Sequence, residues 1–213
     1  MKKILILICL LFGCTQNYLA PKYTFTATFL DAFTNQPVEG FGIYGVDVTY
    51  SGAISLTGSA STTLVNRISY SNKDGMASVA FNRYRKARNY EFFYPSNDKK
   101  YFSPVNENIE ASEYDTFKNI KKTYKLNSKA QLRVKVNLKT PLKDGDKIWI
   151  LVGAGFGGLT ITNKYVDDKQ IYESTGNVPM DVVNIYTING VETRKREILT
   201  LKPFVVNDYE FTY

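Results

Sequence analysis

The residues that could do chemistry in this chain are limited first by the absence of histidine. The 213-residue sequence contains no His and two Cys. This composition excludes Ser-His-Asp and Cys-His catalysis, imidazole acid–base chemistry and the usual zinc sites. Carboxylate pairs, Ser-Lys pairs and Tyr remain as catalytic groups, but no spacing marks any of them as a site. We therefore expect no catalytic residues, no cofactor and a protein that is not an enzyme.

The cysteine with an assignable role is Cys14, at the end of the N-terminal segment. Lys2 and Lys3 precede an apolar run from Ile4 to Phe12, which is the order of zones in a secretory signal peptide. The run is too short to span a bilayer, which takes about 20 apolar residues. Cys9 lies inside the run, so an exported and processed chain would retain Cys14 alone and form no internal disulfide.

The end of this segment, Leu11-Phe12-Gly13-Cys14, resembles the lipobox of bacterial lipoproteins. In that family the signal is cut before the cysteine, and the cysteine carries an acyl chain such as palmitate. The resemblance implies a signal peptide at 1–13, a lipidated tether at 14–22 and membrane attachment through Cys14. Because Thr15 is not Asp, the enterobacterial sorting convention implies an outer-membrane lipoprotein, facing the periplasm or the cell surface. An ordinary secretory signal with an incidental cysteine is the alternative.

The basic residues do not form a nucleic-acid footprint. The formal net charge is +7, but Lys and Arg are interspersed with acids. The densest basic segments are Arg83 to Arg88 and Arg194-Lys195-Arg196. A nucleic-acid interface would need one contiguous basic stripe, so we interpret both segments as solvated faces or loops and expect no nucleic-acid partner.

A glycine-rich run, Gly153 to Gly158, formally matches the dinucleotide fingerprint G-x-G-x-x-G. That fingerprint needs a following helix, whose N-terminus binds the pyrophosphate, and an acid about 20 residues later. The β-like segment Leu159 to Thr162 follows instead. The sequence therefore predicts a glycine-rich hairpin, bulge or loop that binds no phosphate.

Two acidic pairs could supply oxygen ligands to calcium, namely Asp144/Asp146 and Asp167/Asp168. A calcium site takes six to eight oxygens, whereas two acids in a turn are more typical of turn chemistry. We predict no metal site, and calcium at these turns is left open.

Aromatic residues are numerous, at 16 Tyr, 13 Phe and one Trp. Sugars stack on exposed aromatic faces, so one cluster could form a glycan platform, although sandwich core is the favoured interpretation. Trp149 lies in an apolar strand and is predicted to be core. The cluster consists of Tyr90, Phe92, Phe93, Tyr94, Tyr101 and Phe102.

The elements that must position these residues are short β-strands. Apolar residues alternate with polar ones from Tyr23 to Phe29 and again from Leu132 to Leu138, which is the period of half-buried strands. Asn189-Gly190 is the strongest two-residue hairpin signal. No segment shows helical periodicity over ten residues, and Glu107 to Asp115 is predicted to be a surface loop with at most a helical turn.

The predicted fold class is all-β, with two tandem small antiparallel β-sandwiches of the Ig-like or transthyretin-like kind. The first would occupy residues 23–127 and the second residues 128–213, with the boundary at Asn127-Ser128. The segment from Ser51 to Thr63 is interpreted as a loop or a weak edge strand.

The first unit resembles the carboxypeptidase regulatory-like, transthyretin-like sandwich. The similarity lies in Phe29-Leu30-Asp31, in the turn Thr34 to Gly40 with Pro37, and in Asn72-Lys73-Asp74-Gly75 before a strand. It covers about residues 24–126. It implies a sandwich fold and a structural or binding module, with no catalytic residues to transfer. The whole layout is similar to small surface lipoproteins of Bacteroidetes-type bacteria.

Together these features predict a lipid-anchored β-sandwich protein of the bacterial envelope. It would serve as a non-catalytic binding, adhesion or assembly module, with the membrane and an envelope protein or glycan as partners. The alternative is a glycan-binding surface lipoprotein of a polysaccharide-uptake system. A glycosidase that uses paired carboxylates is the less favoured third hypothesis.

Overall fold

The structure, a computed structural model, describes residues 22–50, 62–83, 87–153, 157–163, 166 and 171–213, and side chains throughout these except at 45–50 and 62–67. The described residues form strands and one short helix, α1 (Ala111–Phe117). The strands are β1 (Lys22–Asp31), β2 (Gly42–Tyr50), β3 (Thr62–Tyr70), β4 (Met76–Asn82), β5 (Ala87–Phe93), β6 (Glu107–Glu110), β7 (Asn119–Leu126), β8 (Lys129–Asn137), β9 (Lys147–Val152), β10 (Gly158–Thr162), β11 (Ile171–Thr175), β12 (Pro179–Ile188), β13 (Val191–Thr200) and β14 (Val206–Thr212).

The chain divides into two compact units. Within the described residues, unit 1 takes 22–30, 35–96 and 103–125, and unit 2 takes 31–34, 97–102 and 126–213. Unit 2 therefore includes two short segments that lie earlier in the chain than its main part. The ranges 23–127 and 128–213 remain a prediction of where separately folding domains begin and end.

Unit 1 contains a three-stranded sheet of order β4-β1-β7 and a four-stranded sheet of order β3-β2-β5-β6. Strand β1 is antiparallel to β4. The N–H of Thr24 donates to the carbonyl of Lys118, and the N–H of Ala32 donates to the carbonyl of Leu126. Because the residue numbers rise together along both strands, β1 and β7 run parallel.

Unit 2 repeats this arrangement. Its three-stranded sheet has the order β11-β8-β14 and its four-stranded sheet the order β10-β9-β12-β13. Strand β8 is antiparallel to β11 and parallel to β14. Counted from the first strand of each unit, both have sheets of order 4-1-7 and 3-2-5-6. The predicted all-β sandwich class is confirmed, and each unit adds one parallel pair between its first and last strands.

The core of unit 1 is built from aromatic rings. The burial of β1 alternates strictly, so Tyr23, Phe25, Ala27 and Phe29 all point into the core. The rings of Phe25 and Phe92 stack across the sandwich, with centroids 4.0 Å apart. Alternation in the sequence is thus enough to predict which face of β1 is buried.

The core of unit 2 is mainly aliphatic. Strands β8, β9, β10 and β12 supply side chains that are almost fully buried, and Tyr172, Tyr209 and Phe211 add three rings. The aliphatic members are Ala130, Leu132, Val134, Leu142, Ile148, Ile150, Val152, Leu159, Ile161, Met180, Val182 and Leu201.

The segment Glu107 to Asp115 differs from the predicted loop, because it forms β6 and most of α1. Tyr114 on α1 is fully buried and stacks on Tyr23, with centroids 5.1 Å apart. Asp115 accepts a hydrogen bond of 2.5 Å from the Tyr23 hydroxyl. A helix of this length is unstable alone and carries too few turns to show a period, so tertiary packing rather than local pattern forms it.

The turns that carry the family resemblance form as predicted. Asp31 Oδ1 accepts hydrogen bonds from the N–H groups of Phe33 and Thr34 at 3.0 and 2.8 Å. Asn72 Oδ1 accepts bonds from the N–H groups two and four residues later. Gly75 has φ +74°, and a Cβ there would lie 2.4 Å from the carbonyl oxygen of Phe29. This position therefore requires glycine for both conformation and space.

Candidate functional site

The four-stranded sheet of unit 2 has one face on the core and one face turned outward. Strand register brings Trp149 opposite Thr160 on β10 and opposite Ile185 on β12, and brings Ile185 opposite Arg194 on β13. Directly opposed residues share a face, so these four form one row across the sheet. With the rows beside it they make up what we name the Trp149 face: Lys147, Trp149, Leu151, Thr160, Thr162, Asp181, Val183, Ile185, Thr187, Glu192, Arg194, Arg196 and Ile198.

Trp149 is exposed, so the prediction that it belongs to the core is wrong. Its side chain is 44% exposed, while Ile148, Ile150 and Val152 of the same strand are fully buried. A continuous apolar run is typical of a strand buried on both faces, which is why the sequence suggested core. Because side chains alternate along a strand, the even-numbered residues of β9 face the core and Trp149 faces outward.

The indole of Trp149 is held in place by its neighbours. Its Nε1–H donates a hydrogen bond of 2.7 Å to Thr160 Oγ1. The Lys147 ammonium lies 4.1 Å from the ring centroid, within the range of a cation–π interaction. The ring is thus ordered before any partner arrives.

The indole has polar neighbours, Thr160 and Lys147, and apolar neighbours, Ile185 and Leu151, on the outward face. Ile185 points outward and yet is only 8% exposed, between Trp149 and Arg194. Leu151 and Val183 are half-buried, and Ile198 is 65% exposed. The exposed apolar side chains of the face are therefore Trp149 and Ile198, set among polar and ion-paired residues.

The cations at the rim are already paired with acids of the same face. Arg196 donates two hydrogen bonds of 2.8 Å to Asp181, which raises the pKa of the guanidinium. Arg194 lies 2.8 Å from Glu192. The basic run Arg194-Lys195-Arg196 is therefore an ion-paired, solvated strand, as the sequence suggested, and Lys195 pairs with Glu197 at 2.9 Å.

Asp146 uses one carboxylate oxygen in its own turn and the other on the hairpin turn between β12 and β13. Oδ1 accepts a bond of 2.9 Å from the N–H of Asn189, and Oδ2 accepts one of 3.0 Å from the N–H of Lys143. These two bonds lower the pKa of the carboxyl. Asp144 accepts a bond from the Asn163 amide. The described residues contain no group of three or more His, Cys, Asp and Glu that could hold a metal ion.

The glycine-rich run joins β9 to β10, which are antiparallel. The N–H of Val152 donates to the carbonyl of Gly157 at 3.0 Å, and Gly153 and Gly157 have φ of +62° and +116°. A strand rather than a helix follows, so the run connects two antiparallel strands, in agreement with the predicted hairpin, bulge or loop. Gly155 lies outside the described residues.

The aromatic cluster between Tyr90 and Phe102 contains buried and half-buried rings. Tyr90, Phe92 and Tyr94 are buried, and Phe93 is half-buried. The favoured core interpretation is confirmed for the three buried rings. Tyr101 and Phe102, both half-buried, belong to unit 2.

Several predicted features lie outside the described residues. They are the signal segment 1–13, Cys14 with the rest of the tether up to residue 21, most of the Ser51 to Thr63 segment, and the pair Asp167 and Asp168. In the part of the chain that the structure does describe, no helix is long and apolar enough to cross a membrane.

The sequence analysis did not predict the Trp149 face, although the residue pattern of its strands indicates an apolar outer surface. Strand β9 reads Ile-Trp-Ile-Leu-Val and β12 contains Val182-Val183 and Ile185. In a two-layer sandwich each sheet has only one core-facing side. Apolar residues at both parities of neighbouring strands therefore indicate an apolar outer surface.

No protein-family model matches the chain, and no curated protein is similar to it in sequence. Solved structures with some likeness include the Bacillus anthracis TIE protein, at 13% identity and TM-score 0.35 over 91% of this chain and 34% of that one. The shaft pilin SpaA from Lactobacillus rhamnosus GG, as its D295N mutant, has 11% identity and TM-score 0.36 over 90% of this chain and 98% of that one. GBS52, the minor pilin of Streptococcus agalactiae, has 11% identity and TM-score 0.36 over 89% and 94%. Likeness at this level transfers no activity or partner to this chain.

Proposed function

We propose that this chain is a non-catalytic binding, adhesion or assembly protein of the bacterial envelope, lipid-anchored at Cys14. The observation that carries the binding role is the Trp149 face, an outward sheet surface with the chain's one tryptophan 44% exposed at its centre. Ordinary antiparallel sandwich sheets present polar residues on that side. A surface with an exposed, hydrogen-bonded indole among paired charges is suited to contact rather than to chemistry.

The carboxylates support a non-catalytic role, because many of them already have structural partners. Asp115 binds Arg83 and Tyr23. Asp208 binds Arg133 and Lys135. A glycosidase needs two carboxyl groups facing each other across a cleft, about 5–5.5 or 6.5–9.5 Å apart, and carboxylates held in surface ion pairs and turns are poorly placed for such work.

The proposed anchor rests on the residues that resemble a lipobox, Leu11 to Cys14, after a basic and apolar segment. Two or more acyl chains on Cys14 would hold the protein on a bilayer, since each buried methylene contributes about 0.8 kcal/mol. The likeness of the first unit to carboxypeptidase regulatory-like modules is consistent with a structural or binding role.

Replacing Cys14 tests the anchor. We expect Cys14→Ser to abolish labelling by an alkyne analogue of palmitate and to move the protein from the membrane pellet to the soluble fraction. Cys9→Ser is the matched control, because that cysteine lies in the segment that would be removed, and it should leave labelling and pelleting unchanged. Labelling that persists in Cys14→Ser would contradict the anchor.

A glycan-binding surface lipoprotein of a polysaccharide-uptake system is the second candidate function. The exposure of Trp149 favours it over the same hypothesis placed on the unit 1 aromatic cluster, where Tyr90, Phe92 and Tyr94 are buried. An exposed indole is the side chain best suited to stack on the apolar face of a sugar ring.

A further inference from the structure

We propose that the Trp149 face binds a neutral oligosaccharide, with one sugar ring stacked on the indole of Trp149. This inference rests on the proposed binding function and names the class of partner for that surface. It follows from the size, the chemistry and the charge of the face.

The size of the face fits a short sugar chain better than a protein. Four strands about 4.8 Å apart and three rows about 7 Å apart, two of them with an outward side chain on every strand, give a surface of roughly 300–400 Å². A stable protein–protein interface buries about 800 Å² on each partner. The face is therefore about half the size that a second copy or another protein needs, and it is long enough for a chain of two to four sugars.

The chemistry of the face pairs an apolar platform with hydroxyl groups. Trp149 is ordered by its bond to Thr160 and by Lys147, so little side-chain entropy is lost when a ligand stacks on the indole. The Thr160 hydroxyl accepts the indole hydrogen and keeps its own hydrogen to donate. Thr187 lies on the same face, opposite Lys147. Sugars combine apolar ring faces with hydroxyl edges, and this surface offers a counterpart to both.

The ion pairs of the face favour a neutral ligand over an anionic one. Two of its three cations, Arg196 and Arg194, are already paired with Asp181 and Glu192 at 2.8 Å, and the third, Lys147, lies over the indole ring. A carboxylated sugar would have to compete with these acids for the guanidinium groups. A neutral sugar can accept hydrogen bonds from the outer N–H groups of the two arginines without breaking either ion pair.

Trp149 is the one tryptophan in the sequence, so fluorescence excited selectively at tryptophan, and not at the 16 tyrosines, reports on this face. The test uses the detergent-solubilised full chain, screened against an array of neutral oligosaccharides and then titrated with the strongest hit. We expect saturable protection of Trp149 from acrylamide quenching, with a dissociation constant in the range of about 10 μM to 1 mM. A hexamer of galacturonic acid is the charged comparison and should bind more weakly.

Variants separate the platform from general effects. Trp149→Ala should weaken array binding at least about tenfold, equivalent to about 1.4 kcal/mol, and Thr160→Val should weaken it by a smaller factor. Phe117→Ala is the matched control, because Phe117 is an aromatic side chain in unit 1 that is 68% exposed, and it should bind as the unaltered chain does. Circular dichroism checks that each variant is folded.

Three results would overturn the proposal. They are no protection by any neutral oligosaccharide, stronger binding of the galacturonate hexamer that is lost in Lys147→Gln, or protection that rises with protein concentration in the absence of sugar, which would indicate a second copy. Failure of the Cys14 experiment is distinguishable from these results, because the sugar titration does not depend on the anchor.

Discussion

The two units have the same strand order and place their aromatic residues in opposite ways. In unit 1, rings fill the core, and Phe25, Phe81 and Phe92 are fully buried. In unit 2, the core-facing residues of the four-stranded sheet are mainly aliphatic, and Trp149 stands on the outer face. Both units nevertheless adopt sheets of order 4-1-7 and 3-2-5-6. Strand order in this sandwich is therefore compatible with very different packing chemistry.

The difference between the aromatic and the aliphatic core shows that the pattern of a strand and the size of its side chains have separate effects. Alternation decides which side of a strand is buried, whereas the choice between rings and aliphatic chains decides how the space between the sheets is filled. Aromatic pairs add about 0.5–1.5 kcal/mol beyond the area they bury. The rings of unit 1 lie mainly in its core, whereas the largest ring of unit 2, Trp149, lies on an outer face.

The largest expected effect separates the two cores. Phe92→Ala should destabilise unit 1 by about 3–5 kcal/mol, because it leaves a cavity among stacked rings. Ile150→Val, at a fully buried position of unit 2, should cost about 0.5–1.5 kcal/mol. Urea unfolding followed by far-ultraviolet circular dichroism measures the total loss, and Trp149 emission follows unit 2 alone.

If the two units unfold independently, Phe92→Ala should leave the midpoint of the Trp149 transition close to that of the unaltered chain. A Trp149 transition that shifts as far as the circular dichroism transition would contradict this prediction, since the two units would then unfold together.

A smaller effect compares one turn from each unit. Gly75 and Gly190 both have positive φ, at +74° and +78°. A Cβ at Gly75 would meet the Phe29 carbonyl oxygen at 2.4 Å, whereas a Cβ at Gly190 would have nothing within 4 Å. Gly190→Ala should cost about 1–2 kcal/mol from conformation alone, and Gly75→Ala should cost clearly more, as measured by urea unfolding.

An equal loss of unfolding free energy in the two alanine variants would contradict this prediction. It would mean that the backbone near Phe29 shifts to accommodate a Cβ at position 75.

The smallest effect concerns the parallel pair of unit 2. Arg133 and Lys135 on β8 donate hydrogen bonds to Asp208 on β14, which lowers the pKa of that carboxyl to about 2. The pKa of an unfolded Asp is about 3.9. Because the folded value is the lower one, the stabilisation is present above about pH 4 and is lost as the pH falls towards 2.

We therefore expect Asp208→Asn to lower the urea midpoint slightly at pH 7 and not at all near pH 2, with most of the change below about pH 4. High salt should reduce the difference at pH 7, because the ion pair is exposed. A difference that is constant across the pH range would show that Asp208 contributes through packing instead of charge.

Much of the fold was predictable because strands carry their pattern locally. The alternation from Tyr23 to Phe29 predicted the buried face of β1, and Asn189-Gly190 predicted the hairpin between β12 and β13. Strands β6 and β11 were not predicted, and where α1 forms the sequence indicated a surface loop with a helical turn. Ile171 to Thr175 is short and only partly apolar, and α1 depends on burying Tyr114 against Tyr23 rather than on a helical period.

The candidate site was less predictable than the fold. An apolar strand such as Lys147–Val152 does not reveal which of its two faces meets the core, and that parity decides whether Trp149 is hidden or exposed. The partners that order the indole, Thr160 and Lys147, lie on the next strand and two residues earlier on its own strand. The register of β9 with β10 was needed to bring Thr160 to it.

By itself the sequence determined the β-rich class, the positions of most strands and turns, and the absence of imidazole chemistry, because these depend on residue type and on spacing within a few residues. The tertiary structure alone decided that the first and last strands of each unit run parallel, that both units share one strand order, and that Trp149 faces outward. The physical reason is that strand order and register depend on contacts between residues far apart in the chain, and a shift of one residue in register turns every side chain of a strand to the other face.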